Sequence, residues 1–193
     1  PLERFTSRGA RVGVISVQPD EDGVLRRVAL LHRAYERRLP ALTFAGLLAA
    51  EPESTLGGGP GTISLGARQW PVNERGETAI RFPSNARQLE VQPFYKLALA
   101  AAGAPGYEAI RDAVRGRVGF VGSSSAILGD FAYTPLGRMP GLYLNAYAHA
   151  ALVQGEVIRP GGLGLDVFLF VLFMLPAVVL RARLAAIQPR HIA

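Results

Sequence analysis

The chain has 193 residues, 49% of them hydrophobic and 19% charged, so it can bury one sizeable core and is too apolar to remain disordered. It contains no cysteine, which excludes disulfide frameworks and thiolate metal sites. The net charge of +6 comes from scattered arginines (Lys96 is the one lysine) with no basic stripe interleaved with aromatics, so nucleic acid is not an expected partner. A start at Pro1 reads as the interior of a longer product.

Residues 11–17, RVGVISV, alternate and β-branch as a strand does. The turn PDEDG follows, and VLRRVALLH (24–32) reads as the returning strand of a hairpin, with Asp-Gly at its tip. Pro40 opens a helix that runs to about Glu51. Residues 52–61, rich in glycine and proline, read as a loop. TISLGARQWPV and ETAIRF read as strands joined by the turn NERG. PFYKLALAAAG is a helix stopped by Gly103 and Pro105, and YEAIRDAVRG is another, ending at Gly116. RVGFVG (117–122) reads as a short strand buried on both faces, hence central and parallel. The last helix of this region spans Gly141 to Gln154, with Leu142, Ala146, Ala150 and Val153 as its buried stripe. No internal repeat is read.

LGLDVFLFVLFMLPAVVL (163–180) carries a single charge over eighteen residues. As a helix it would extend about 27 Å, close to the hydrocarbon thickness of a bilayer. Asp166 falls in its first turn, where its charge complements the helix N-terminus. Arg181, Arg183 and Arg190 follow the span and only Arg159 closely precedes it, so the C-terminus is expected in the cytoplasm and residues 1–160 outside.

The loop GSSSAILGD after Gly122 is the first place to look for chemistry. It lacks the Lys-Ser/Thr ending of a P-loop and does not fit GxGxxG. No glycine stands two residues after a serine in the register a nucleophile elbow requires. Asp20 and Asp22 in DxDG have no downstream glutamate at calcium-loop spacing, and a turn is the reading adopted. Asn145 and His149 lie four apart on one helix face, where they could line a pocket or respond to pH.

Four segments together resemble one family. They are GVISVQPDEDGVLRRVAL (13–30), RLPALTFAGLLAA (38–50), GRVGFVGSSSAILGDFAYTPLG (116–137) and PGLYLNAYAHAALVQG (140–155). In order and spacing they are similar to the second type of CHASE domain, an extracellular sensory domain associated with bacterial cyclases and histidine kinases. One departure is visible: Asn145-Ala146 stands where the family often has His-Ala, and His149 lies one turn later. The resemblance implies an extracytoplasmic α/β sensor, shortened at its N-terminus, whose signal crosses the membrane to a cyclase, a histidine kinase or a Ser/Thr kinase. It implies no catalysis in the sensor itself.

The expected fold is therefore α/β, a mixed sheet with a parallel central part flanked by helices, plus one C-terminal transmembrane helix. Residues 1–160 are expected to form the sensory domain, 163–180 the span and 181–193 a cytoplasmic juxtamembrane segment. The candidate ligand contacts are Ser123, Ser124, Asp130, Thr134, Asn145 and His149. No catalytic residue, metal or cofactor is expected. The expected partners are an unidentified small molecule or physical cue, the lipid bilayer of the inner (plasma) membrane, and a second copy in a homodimer. The alternatives are a membrane-anchored extracytoplasmic hydrolase using serines 123–125 and Asp130, and a dimerisation domain that binds no ligand.

Overall fold

The computed structural model describes residues 12–34, 36–82, 89–125, 130–159 and 161–187. The chain divides into two compact units, Pro1–Ile158 and Arg159–Ala193.

In the first unit, a tight turn at Asp20 leads into the sheet. Gly23 N–H donates to the Asp20 carbonyl (2.9 Å) and Asp20 N–H to that of Val24 (3.1 Å). Gly23 adopts φ +78°, a conformation that a β-carbon would strain. Strand β1 (Arg27–Ala29) follows, then a hairpin of β2 (Leu31–Ala34) and β3 (Arg37–Pro40), then helix α1 (Leu42–Ala50). A meander comes next: β4 (Leu56–Gly59), β5 (Thr62–Leu65) and β6 (Arg68–Pro71). Strand β7 (Glu77–Ile80) lies between β1 and the later β10 (Val157–Ile158), antiparallel to both. Helices α2 (Phe94–Ala101) and α3 (Glu108–Val114) form a pair. A second hairpin, β8 (Phe131–Thr134) and β9 (Gly137–Pro140), runs straight into helix α4 (Gly141–Gln154).

Two apolar clusters hold these pieces together. Phe44 and Leu47 of α1 meet Ile63, Leu65 and Trp70 of the meander, with Leu30 and Leu152. There Phe44 stands edge-on to Trp70 (5.6 Å between centroids), and Trp70 Nε1–H donates to the Leu152 carbonyl at 3.1 Å. In the second cluster Leu25, Val28 and Ile80 pack on Leu144, Ala148 and Ala151 of α4. Helix α4 thus serves both clusters. Each fully buried Leu or Phe side chain contributes about 1.5–3 kcal/mol to that packing.

The two hairpins are built alike. Leu31 faces Pro40 and Phe131 faces Pro140, while Ala34 faces Arg37 and Thr134 faces Gly137. The hairpins share one register, one hundred residues apart. Even the joint to the helix recurs: Ala41 N–H donates to the Leu30 carbonyl (2.9 Å), and Gly141 N–H to that of Asp130 (3.0 Å). Helices α1 and α4, one from each hairpin–helix unit, pack against each other. Sequence comparison reads no repeat because the side chains differ at almost every step. The repetition is in backbone register.

Several expectations are corrected. Every sheet is antiparallel; parallel pairing among the described residues is confined to one isolated bridge, Val14 with Ala41. Residues 117–122 are not a buried central strand: they join no ladder, and Val118 and Val121 are 46% and 68% exposed. Residues 12–17 likewise do not pair with 24–32. The β-branched composition sets an extended backbone, but only a neighbour in matched register makes a strand. Within the expected glycine loop, Leu56–Gly59 pairs with β5, which supplies the ladder bonds that glycine cannot discourage. TISLGARQWPV is a hairpin and not one strand, turning at Gly66 with φ +56°. The buried positions of α4 are Gly141, Leu144, Ala148, His149, Ala151 and Leu152, not the expected stripe.

In the second unit, helix α5 (Leu163–Ile187) begins where Leu165 N–H and Asp166 N–H both meet the Gly162 carbonyl, at 2.8 and 3.3 Å. Leu163–Leu184 has a mean hydropathy of 2.6 and no buried share, so its length and composition suit a membrane crossing. Its 22 residues extend about 33 Å, enough for the hydrocarbon core. Pro176 lies within the helix.

Candidate functional site

The loop after helix α3 crosses the α1–α4 pair. Val118 reaches Gly46 of α1: a β-carbon on Gly46 would stand 3.8 Å from Val118 Cγ1 and 3.4 Å from the His149 ring. Phe120 meets His149 of α4 edge to face, with centroids 5.4 Å apart and planes inclined at 63°. Gly122 lies against Leu142, since a β-carbon there would stand 3.2 Å from Leu142 Cδ1. Arg117, at the start of the crossing, pairs with Glu90 at 2.8 Å. The backbone of Val118–Ser124 forms no hydrogen bond with the described residues.

His149 is 8% exposed. Its Nδ1 lies 3.0 Å from the Thr43 carbonyl, which can only accept. Nδ1 is therefore the protonated nitrogen of the neutral ring, and Nε2 carries the lone pair. Thr43 Oγ1, at the same junction, is buried with no partner. No serine hydroxyl of the described residues is hydrogen-bonded to this imidazole.

Asp130 and Gly122 lie against the first turn of α4. The Asp130 carboxylate lies against Gly141, where a β-carbon would come within 2.5 Å of Oδ1. The carboxylate lies near the start of α4 without capping it by a hydrogen bond. Ser123 follows Gly122, and its Oγ accepts from Ser125 N–H at 3.1 Å; Ser124 is exposed between them. Asn145, one turn into the helix, donates from Nδ2 to the Gly141 carbonyl (2.8 Å). Thr134 stands apart. It sits at the β8–β9 turn, where Oγ1 donates to the Gly137 carbonyl (2.9 Å) and accepts from Leu136 N–H (3.2 Å). Four residue steps of extended chain, about 13 Å, separate it from Asp130. Phe120, Thr43 and Gly46 are the contributors that sequence reasoning missed.

A second feature is a charged cleft of about 870 Å³ between the Asp20 turn and the turn at Asn73–Gly76. Its walls include Asp20, Asp22, Arg26, Arg27, Arg75 and Glu77. Arg26 donates to Asp20 at 3.1 Å and to both oxygens of Asp22 at 3.0 and 2.8 Å, and Arg27 also pairs with Asp20. Hydrogen bonds from Arg26, then that from Val24 N–H, hold the Asp22 carboxyl down at about 2. The same pairing, chiefly with Asp22, raises the Arg26 guanidinium above its ordinary value. These groups are solvated, so the pairing fixes the turn more than it stabilises the fold. Among the described residues no group of three or more His, Cys, Asp or Glu side chains is placed to hold a metal.

The model of one protein family, described as the CHASE2 domain, matches residues 3–180. No match to the chain was found among curated proteins or among solved structures.

Proposed function

The chain belongs to the CHASE2 domain family, a family of extracytoplasmic sensory domains, and from that premise we propose that it is the input region of a bacterial transmembrane receptor. Residues 1–160 lie outside the cell, 163–180 cross the inner membrane, and 181–193 enter the cytoplasm. The output module is a nucleotide cyclase, a histidine kinase or a Ser/Thr kinase. The receptor works as a homodimer in the bilayer, and its cue is a small molecule or a physical change sensed by the outer domain. Ser123, Ser124, Asp130, Asn145 and His149, along the α4 face, are the proposed contact surface, with Thr134 at its hairpin edge.

One observation carries the relay. Gly155, at φ +70°, ends α4 and turns the chain directly into β10. There Glu156 N–H donates to the Ala151 carbonyl (2.9 Å), and Arg81 N–H donates to that of Glu156 (2.9 Å). Strand β10 is thereby bonded to both the helix and the sheet, and only residues 159–162 separate it from α5. A shift of α4 between two states has little slack in which to be lost.

A ten-residue Gly-Ser insert between Arg159 and Gly162 of an intact receptor tests this. Output should become insensitive to the state of the outer domain. Unchanged regulation would show that the link does not transmit.

A further inference from the structure

We infer that helix α2 docks on a lipid surface, laying Phe94, Tyr95, Ala98 and Leu99 into the headgroup boundary of an anionic bilayer. Phe94 and Tyr95 are 64% and 58% exposed, and Ala98 and Leu99 are exposed with them. Positions i, i+1, i+4 and i+5 share one helix face, so the four form a continuous stripe without a charge. Val91, just before the helix, is exposed as well. Soluble domains rarely leave such a patch uncovered, and one that is left marks contact with a protein or a membrane.

The rest of the domain gives this helix little support. Helix α2 has eight residues and buries only Ala100; α3 has seven and buries none. Helices this short do not hold in water on propensity alone and depend on packing an apolar face. The two apolar clusters do not supply that packing, since neither includes a residue of α2 or α3 among the described residues. The exposed stripe is the apolar face that remains, so whatever covers it also completes the helix pair.

Chain length, side-chain chemistry and charge favour lipid as the cover. Only residues 159–162 join β10 to α5, and five steps of fully extended chain from Ile158 to Leu163 reach about 17 Å, so a membrane-crossing α5 keeps the outer domain at the bilayer surface. Aromatic rings are favoured at headgroup depth, where a tyrosine can bury its ring and keep its hydroxyl hydrated. Residues 91–117 hold Lys96, Arg111, Arg115 and Arg117 against Glu108 and Asp112, an excess of cations that anionic headgroups attract. Arg115 and Arg117 are paired, but Lys96 and Arg111 form no ion pair among the described residues and are available to phosphate. Lys96 is half-buried beside the stripe, and its stem can lie along apolar surface while the ammonium reaches the headgroups. This contact rests on the proposal that α5 crosses a membrane, and it adds a second attachment: α5 anchors the chain, and α2 sets how the outer domain stands on the bilayer. Lipid composition is then a physical cue the domain can read.

The absence of cysteine allows a direct test on the full chain in nanodiscs of mixed phosphatidylcholine and phosphatidylglycerol. A spin label at Ala98→Cys reports its depth by collisions with oxygen, which concentrates in lipid, and with a water-soluble nickel chelate. It should read an interfacial depth, and Phe94→Glu with Leu99→Glu should return it to water; both positions are exposed, so the fold tolerates the charges. A label at Leu172→Cys should read the acyl core in either background. An aqueous reading at Ala98 with Leu172 still in the core overturns the contact and leaves the span standing, whereas aqueous readings at both sink the span and this contact with it. Shielding of Ala98 from both relaxants, or spin–spin broadening between copies, means that protein covers the stripe and refutes the lipid. In phosphatidylcholine alone the label should lie shallower, and an equal depth there overturns the anionic preference.

Discussion

The Asp130 carboxylate occupies the space that a side chain at position 141 would need, with Oδ1 within 2.5 Å of where a β-carbon would be. Gly141 is therefore what allows an anion to sit at the start of α4. Gly141→Ala should expel the carboxylate from that position. The cost is the lost helix-terminus interaction, about 0.3–1 kcal/mol. Asp130→Ala should cost a similar amount, and the double variant no more than either single one. Urea unfolding of the four proteins measures the cycle; additive costs would mean that the two residues act independently.

The β8–β9 turn depends on a hydroxyl. Thr134 Oγ1 both donates and accepts there and is largely buried. Thr134→Val keeps the shape and removes both bonds, leaving the Gly137 carbonyl and Leu136 N–H to find other partners. A loss of about 1–3 kcal/mol is expected. Thr134→Ser should recover most of it, which thermal unfolding can read.

Asp22 sets a pH dependence whose sign is fixed. Its folded value of about 2 lies below the ordinary 3.8, so the folded state favours the ionised carboxylate. That contribution is complete above pH 4 and is lost as pH falls toward 2. Asp22→Asn should lower the melting temperature slightly at pH 6, and the gap to the parent should close between pH 4 and pH 2. A gap that stays constant over that range would detach the Arg26 pairing from stability.

The apolar face of α5 is continuous around Leu172. A membrane-crossing helix tolerates a central arginine poorly, at about 2.5–3.5 kcal/mol on insertion scales. Leu172→Arg should reduce insertion of α5 in a glycosylation-mapping assay, whereas a substitution at Leu184, near the end of the apolar stretch, should matter little. Equal insertion of both would argue against a span.

The bounds of α4 were legible because Pro140 and Gly155 punctuate them. Its buried face was not. Leucines and alanines lie all round this helix, and it serves two clusters at once, so periodicity has no single stripe to find. The extended backbone of residues 117–122 follows from local composition, but whether such a run enters a ladder depends on a distant neighbour. LGGG shows the converse: glycine-rich residues became a strand because Thr62–Leu65 folds back on them. At the site, Asp130 and His149 could be nominated from residue type alone. Phe120 could not, because nothing in its spacing places it on a ring 29 positions away.

The recurring joint has a practical consequence. Ala41 and Gly141 donate the same bond in the same register, one to the carbonyl of a fully buried leucine and the other to that of an exposed aspartate. The protein thus carries its own matched control. Comparing the exchange rates of these two amides isolates what solvent access does to a single hydrogen bond, with chain, temperature and buffer held identical.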